Sequence, residues 1–166
     1  MRAEQEREYV AYVGARLLEL RRTAYRLCGD WHRAEDLVQT ALILLYRHWR
    51  RASAADSLDA YVRRILVNAY LDDRQRWWTR RVEPRAETGA AEDPEPVEAR
   101  VDLRAALAGL SPGQRAVLVL RYWEGLDVAE TALALGCSPG TVKSQTSYAI
   151  AALRRRLPGY VERAGT

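Results

Sequence analysis

The chain has 166 residues, 48% of them hydrophobic and 29% charged, with a net charge of +4 and a pI of about 9.3. This composition is typical of a soluble globular protein with one or two small domains, and the mild basic excess favours a nucleic-acid partner. No apolar run approaches the ~18 residues of a membrane span, and the charged start leads into amphipathic sequence rather than a signal peptide. We therefore expect a cytoplasmic protein.

The first 80 residues carry apolar positions at helical spacing, and no segment alternates with the period of a strand. Residues 50–56 are small and polar, which predicts a loop. We expect a domain of three helices over residues 1–80. The predicted helices are residues 4–27, a second from the capping Asp30 to about Trp49, and a third from Ser57 to about residue 78.

The composition changes over residues 81–100, which contain three prolines, one glycine, six acidic residues and three arginines. Such a segment cannot bury a core and is typical of a flexible, acidic linker. It divides the chain into two domains.

Residues 101–160 predict a second helical domain of four helices with clear start and stop signals. A helix over about Val101–Leu110 precedes the capping box of Ser111 and Gln114, which opens a helix to about Trp123. A second capping box, Asp127 and Glu130, opens a short helix that ends at Gly136, and Ser138 starts the last helix. Two helices joined by this short turn predict a helix-turn-helix.

The second helix of a helix-turn-helix lies in the major groove and reaches base edges with its N-terminal residues. Val142 is expected to face the core, and Arg154–Arg156 either contact phosphates or complement the dipole of their helix. A solvated polar face is the alternative interpretation of the exposed residues. The candidate DNA-binding residues are Thr141, Lys143, Ser144, Gln145, Ser147 and Tyr148.

Several motifs resemble one protein family, in order, along nearly the whole chain. The segment Ala-Glu-Asp-Leu-Val-Gln at residues 34–39 resembles a helix junction of the extracytoplasmic-function sigma factors. Residues 60–68 resemble the helix that this family uses on the promoter minus-ten element, and residues 110–115 and 136–144 resemble its second domain. The pattern is most similar to the actinobacterial branch.

The resemblance implies an all-α, non-enzymatic sigma factor that binds core RNA polymerase and directs it to promoters. Residues 1–80 would bind the polymerase and the minus-ten element, and residues 101–160 would bind the minus-thirty-five element. The residues implied in polymerase binding are Asp36, Gln39 and Thr40, which would dock on the clamp helices of the largest subunit. The flap region is a second implied polymerase contact, and an anti-sigma factor is a further family partner that no residue here identifies.

The same resemblance implies that Asn68, with the segment 51–58, holds a flipped-out minus-ten base, as an amide in a small polar pocket can do. The other candidates for minus-ten binding are Arg63, Arg64, Arg74 and Trp77. Taken alone, Asn68 is typical of a surface residue, and Asp72–Asp73 interrupt the basic strip. Gln145 and Tyr148 stand where many relatives carry arginine, so the minus-thirty-five sequence stays open.

Two rival classes of protein are less consistent with the sequence. A free-standing helix-turn-helix regulator would need a dimerisation or effector module, and the first half lacks the strand-helix alternation of a receiver domain. A metal sensor or enzyme would need more ligands than Cys28 and His32, and no nucleophile–base pair or phosphate loop appears. We expect no cofactor and no metal, and we interpret Cys28 as a small buried residue. The promoter sequence, inducing signal and oligomeric state cannot be read from the sequence.

Overall fold

A computed structural model describes the backbone of residues 1–80 and 97–157 and the side chains of residues 1–73 and 103–157. Every regular element in these ranges is a helix, which confirms the all-α prediction, and none of them is long and apolar enough to cross a membrane. The chain divides into two compact units, Met1–Glu87 and Thr88–Thr166. The helices of the first unit are α1 (Ala3–Cys28), α2 (Trp31–Arg47), α3 (Trp49–Ser53) and α4 (Leu58–Arg80). Those of the second are α5 (Val97–Ala108), α6 (Pro112–Leu118), a π-helical segment (Val119–Trp123), α7 (Val128–Leu135) and α8 (Pro139–Arg156).

A glycine and a capping aspartate set the turn between α1 and α2, as the sequence predicts. Gly29 ends α1 in the left-handed conformation (φ 73°), which glycine adopts without steric cost. The Asp30 side chain accepts the His32 N–H at 2.8 Å and so caps α2. Across this turn the rings of Tyr25 and Trp31 stack with their centroids 4.2 Å apart. The two helices therefore leave the turn already packed against each other.

The segment after α2 departs from the prediction, because the expected loop over residues 50–56 contains most of the short helix α3. Its first turn is formed by the N–H groups of Arg51 and Ala52, which donate to the His48 carbonyl at 2.9 and 3.0 Å. Trp49 is only 3% exposed and Ala52 is fully buried. Tertiary packing of these two side chains, three positions apart, outweighs the polar character of the segment. The loop prediction is wrong here, and α2 ends at Arg47 rather than at Trp49.

Trp49 lies at the centre of the first unit's core. The rings of Tyr9 and Tyr12 from α1 contact it, with centroid separations of 5.4 and 6.2 Å. Buried aromatic rings contribute large apolar areas to a core, and edge-to-face pairs add to that contribution. The buried cluster around it consists of Leu45, Trp49, Ala52 and Val62, from α2, α3 and α4. The three long helices are thus held around one side chain.

Asp59, in the first turn of α4, joins that helix to α1. The Tyr12 hydroxyl donates to Asp59 Oδ1 at 2.8 Å, the Arg16 Nε donates to the same oxygen at 3.0 Å, and Arg16 Nη2 pairs with Oδ2. Because the Arg16 guanidinium hydrogen-bonds to the charged carboxylate, the pKa of Asp59 is lowered. Burial and the hydrogen bond to Asp59 raise the pKa of Tyr12, so the phenol remains a donor.

Both predicted capping boxes are present in the second unit. Ser111 Oγ accepts the Gln114 N–H at 3.3 Å, and Gln114 Oε1 accepts the Ser111 N–H at 3.2 Å. Asp127 and Glu130 make the same reciprocal pair at 2.7 and 2.8 Å. Each box satisfies two backbone donors that the start of a helix otherwise leaves unpaired. The starts of α6 and α7 are therefore confirmed.

Two details of the second unit differ from the sequence pattern. Helix α5 begins at Val97, inside the range assigned to the linker, while residues 81–96 lie outside the described residues. The helix predicted to run to Trp123 changes to a π-helical turn at Val119, where the Glu124 N–H donates to the Val119 carbonyl at 3.0 Å. Single π turns of this kind are common near functional sites.

Replacement of Asp59 by Asn should lower the stability of the protein by about 1 kcal/mol at pH 7, since a partly exposed, charge-assisted pair is removed. The lowered pKa of Asp59 means that its contribution is present above the unfolded-state pKa and is lost as the pH falls through the folded-state pKa. The difference between the wild type and Asp59→Asn should therefore narrow below about pH 4. Thermal unfolding followed by circular dichroism between pH 7 and pH 3 measures it. Asp56→Asn, at an exposed position nearby, is the matched control, and a pH-independent difference for Asp59→Asn would contradict this explanation.

Candidate functional site

An open groove of about 860 Å³ runs between α2 and α4 in the first unit. It brings together residues that the sequence assigned to two different partners. Asp36 and Thr40, the candidates for polymerase binding, line its α2 side, and Arg64 and Asn68, candidates for minus-ten binding, line its α4 side. The two candidate sites of the first unit are therefore neighbours.

The two ends of this groove differ in charge. At one end the lining residues are His48, Arg51 and Arg64, and at the other they are Arg33, Asp36, Asp72 and Asp73. Arg33 Nη2 lies 2.7 Å from Asp73 Oδ2, so the charge of Asp73 is balanced by a cation of α2. A phosphate would meet attraction at the first end and repulsion from Asp36 and Asp72 at the second. Asp72 and Asp73, which interrupt the basic sequence of α4, thus lie at one end of the groove.

Asn68 is exposed on α4, one turn after Arg64 and one turn before Asp72. The lining of the groove around it is partly apolar, with Tyr61, Ile65 and Ala69 on α4. An exposed amide beside apolar and aromatic side chains can hydrogen-bond to the edge of an unpaired base while the base packs against the apolar wall. The groove therefore combines a hydrogen-bonding amide with an apolar wall, the two features that suit an unpaired base.

Arg63 and Arg64 are adjacent in sequence but lie on different sides of α4. Arg64 is exposed and lines the groove, whereas Arg63 is half-buried and does not line it. After the hydrogen bond from Arg16, the charge of Arg63 is one of the causes that lower the pKa of Asp59. The structure therefore does not bring Arg63 together with Asn68. The side chains of Arg74 and Trp77 lie outside the described residues, although the backbone of α4 continues to Arg80.

Arg51 and His48 are lining residues that connect the groove to the segment before α4. Arg51 belongs to the segment 51–58 that the resemblance pairs with Asn68, and it faces the same groove. His48 was missed by sequence reasoning, and its Nδ1 lies 2.9 Å from the Leu44 carbonyl at the end of α2. A lone histidine at a helix end gives no signal in sequence that it borders a groove.

The outer face of α2 carries a strip of exposed side chains. Asp36, Gln39 and Thr40 are all exposed, but Gln39 does not line the groove. Ile43, one turn after Gln39, is 60% exposed on the same face. Sequence reasoning missed Ile43 because an isoleucine in an amphipathic helix is normally assigned to the core. We call Asp36, Gln39, Thr40 and Ile43 the α2 strip.

The helix-turn-helix of the second unit is formed by α7 and α8. Gly136 ends α7 in the left-handed conformation (φ 66°), and Ser138 Oγ accepts the Thr141 N–H at 3.1 Å to cap α8. Val142 is fully buried and belongs to a cluster with Val117 and Ala132. Because Val142 anchors this side of α8, the opposite side of its N-terminal half must face outward.

Five of the six candidate residues on α8 are exposed, and one is not. Gln145 is half-buried, because it follows Val142 by three positions and so lies only about 60° from it around the helix. Tyr148 is 61% exposed, which is high for an aromatic side chain. Two hydroxyls donate to backbone carbonyls, Ser144 to Thr141 at 3.1 Å and Thr146 to Val142 at 2.7 Å. The exposed candidates are Thr141, Lys143, Ser144, Ser147 and Tyr148.

Cys28, which the sequence placed in the core, is 8% exposed, and its thiol donates to the Asp30 carbonyl at 3.2 Å. His32, its proposed partner in the metal alternative, is exposed. Among the described residues no group of three or more His, Cys, Asp or Glu side chains is arranged to hold a metal ion. The hydrogen bond of the Cys28 thiol to Asp30 therefore belongs to the turn between α1 and α2.

Comparisons with known proteins match two separate parts of the chain to family models. The family model "Sigma-70 region 2" matches residues 13–80, and "Sigma-70, region 4" matches residues 100–153. The RNA polymerase sigma-E factor of Streptomyces coelicolor is 40% identical over 156 residues, which cover 90% of this chain and 86% of that protein. The ECF RNA polymerase sigma factor SigL of Mycobacterium tuberculosis is 35% identical over 143 residues, covering 82% of this chain and 81% of that protein.

A solved structure of the sigma factor RpoE in complex with the anti-sigma factor NepR, from Bartonella quintana, is also similar. Its sigma chain superposes with a TM-score of 0.76 at 26% identity, covering 92% of this chain and 98% of that chain. The similarity thus extends over both units.

Proposed function

This chain belongs to the extracytoplasmic-function RNA polymerase sigma factors, and we propose that its first unit binds core polymerase and the minus-ten element while its second binds the minus-thirty-five element. Sigma factors are transcription initiation factors without enzymatic activity of their own. The chain therefore directs RNA polymerase to promoters and leaves the chemistry to the polymerase. The observation that carries the assignment of roles is the placement of the candidate residues on two exposed surfaces, the α2–α4 groove and the outward face of α8.

The α2 strip is the proposed contact with the clamp helices of the largest polymerase subunit. It combines a carboxylate, an amide, a hydroxyl and the exposed Ile43 on one face. Interfaces are typically built from an apolar centre with polar groups around it, and polar groups that pair across the interface give specificity. Ile43 supplies the apolar surface that Asp36 and Gln39 alone would lack. The strip suits a helical partner that presents basic and amide side chains.

The α2–α4 groove is the proposed site for an unpaired base of the minus-ten element. Asn68 would hydrogen-bond to the base, and Arg51 and Arg64 would neutralise phosphates at the basic end of the groove. The acidic end, with Asp36 and Asp72, lies toward the α2 strip and would disfavour phosphate there. Single-stranded DNA would accordingly be confined to the basic end. The roles of Arg63, Arg74 and Trp77 remain proposals that this groove does not itself support.

The outward face of α8 is the proposed reader of the minus-thirty-five element. Lys143 can donate to guanine O6 and N7, and the hydroxyls of Ser144 and Ser147 can accept or donate at several bases. The exposed ring of Tyr148 would face the major groove of the DNA and can contact a thymine methyl group. Thr141 lies at the start of α8, where backbone N–H groups can hold a phosphate. Gln145, being half-buried, is the weakest candidate of the set.

Further partners follow from membership of the family. We propose the flap region of the polymerase as the second contact and an anti-sigma factor as the inhibitor, since the similar RpoE structure is a complex with one. A protein that works on the polymerase and the chromosome would act in the cytoplasm.

Asn68→Ala should reduce the rate of open-complex formation roughly tenfold, because a well-placed base contact contributes about 1–3 kcal/mol. Core binding should be unchanged, since Asn68 does not belong to the α2 strip. Permanganate footprinting of the melted promoter and co-purification with core polymerase measure the two properties separately. Asn68→Gln keeps the amide and should recover part of the rate. Normal opening by Asn68→Ala would remove this residue from the proposed site.

Lys143→Ala should reduce the preference of the holoenzyme for its selected minus-thirty-five sequence by roughly fivefold or more, because it removes a base interaction of about 1–3 kcal/mol. The sequence is first obtained by selecting active promoters from a pool randomised in that region. Lys143→Arg keeps the charge and should retain most of the preference. Equal activity of the wild type on selected and scrambled minus-thirty-five sequences would refute the role of α8.

A further inference from the structure

Three consecutive arginines, Arg154–Arg156, form the last turn of α8, and the structure separates their roles. Arg156 Nη1 donates to the Ala106 carbonyl, near the end of α5, at 3.2 Å. A Cβ built at Gly109 would lie 1.1 Å from the same nitrogen, so the guanidinium occupies space that this glycine leaves open. Arg156 is therefore engaged in holding α5 against α8.

Arg154 and Arg155 are not engaged in this way. Both are exposed, and among the side chains that the structure describes neither forms a hydrogen bond or an ion pair. Their positions on α8 are related to those of the candidate DNA-binding residues. At about 100° per residue, Arg154 lies within about 20° of both Lys143 and Ser147, and Arg155 lies within about 20° of both Ser144 and Tyr148. The two arginines thus extend the outward face of α8 toward its C-terminal end.

The distance along the helix distinguishes the two ends of this face. Lys143 and Arg154 are eleven positions apart, which corresponds to about 16 Å of rise. The major groove is about 12 Å wide, so a helix that reaches bases with its first turns carries its last turn out to the phosphates at the edge. Residues 144–153, between the two cations, contain no charged side chain. The face therefore has a neutral middle and a cationic end.

We propose that Arg154 and Arg155 bind phosphates that flank the minus-thirty-five element, and that Arg156 is a positioning residue that fixes α5 on α8. The inference rests on the proposed role of α8 as the reader of that element. Phosphate contacts add affinity without sequence preference, whereas base contacts set the preference. Two arginines at this end supply electrostatic affinity that the N-terminal half of α8, with Lys143 as its charged side chain, provides only weakly.

The test compares holoenzymes assembled with the wild type, with the double variant Arg154→Gln/Arg155→Gln, and with the control Arg156→Gln. Binding to duplex promoter fragments is measured by fluorescence anisotropy across a range of salt concentrations. The double variant should make the negative slope of log K against log salt shallower by about 1.8, because each phosphate that an arginine neutralises contributes about −0.9 to that slope. Its order of preference among minus-thirty-five sequences should stay the same. Arg156→Gln should keep the wild-type slope and lower the Tm.

Either of two salt-dependence results would overturn the inference: an unchanged slope in the double variant, or a slope that becomes as shallow in Arg156→Gln as in the double variant. A changed order of preference among minus-thirty-five sequences in the double variant would also overturn it, because the arginines would then be reading bases. Failure of the proposed role of α8 as the reader of the minus-thirty-five element would give a different result. In that case the wild-type holoenzyme itself would not distinguish the selected minus-thirty-five sequence from a scrambled one.

Discussion

The burial of one stripe of α2 determines which residues the first unit presents to partners. The stripe consists of Ala34, Leu37, Val38, Ala41 and Leu45, all buried against the neighbouring helices. Because an α-helix turns about 100° per residue, burial of this stripe forces Asp36, Gln39 and Ile43 outward. The same packing sets the spacing of α2 and α4 and so the width of the groove that contains Asn68. A rotation of α2 would therefore move the proposed polymerase contact and change the α2 wall of the groove that faces Asn68 on α4.

That coupling has a functional consequence. The α2 strip and the α2–α4 groove share Asp36 and Thr40 at their boundary. A polymerase seated on the strip would therefore lie directly beside DNA in the groove. The ion pair between Arg33 and Asp73 bridges α2 and α4 at the acidic end of the groove. The proposed polymerase contact and the proposed base-binding groove thus lie on the same two helices.

In the proposed arrangement neither unit needs high affinity for DNA by itself. The second unit would read bases with hydroxyls, one lysine and one tyrosine, which give selectivity more than electrostatic attraction. Contacts that are linked through one chain and one polymerase raise each other's effective concentration, so two modest sites can bind a promoter tightly. Such a factor would bind promoters poorly when it is separated from the polymerase.

Local rules in the sequence correctly predicted the helix starts that carry a capping side chain. Asp30, Ser111, Asp127 and Ser138 all cap helices where expected, because each of these caps depends only on a residue two or three positions away. Helix α3 was missed since its stability comes from the burial of Trp49 in a core built by other helices. The different environments of Arg63 and Arg64, the exposure of Ile43 and the partial burial of Gln145 likewise depend on which side of a helix meets its neighbours. Residue type alone does not predict which side of a helix such a residue occupies.

The most direct measurement of the central claim is transcription in vitro with purified core RNA polymerase from Streptomyces coelicolor, the source of a 40% identical relative. Core polymerase and this chain are mixed on a pool of templates with randomised promoter regions, and transcript starts are mapped. We expect the chain to co-elute with the core enzyme. We also expect transcripts to start at a fixed distance from two separated sequence elements, and only when both components are present. A chain that binds specific DNA by itself but never joins the core enzyme, or that joins it without starting any transcript, would contradict the account.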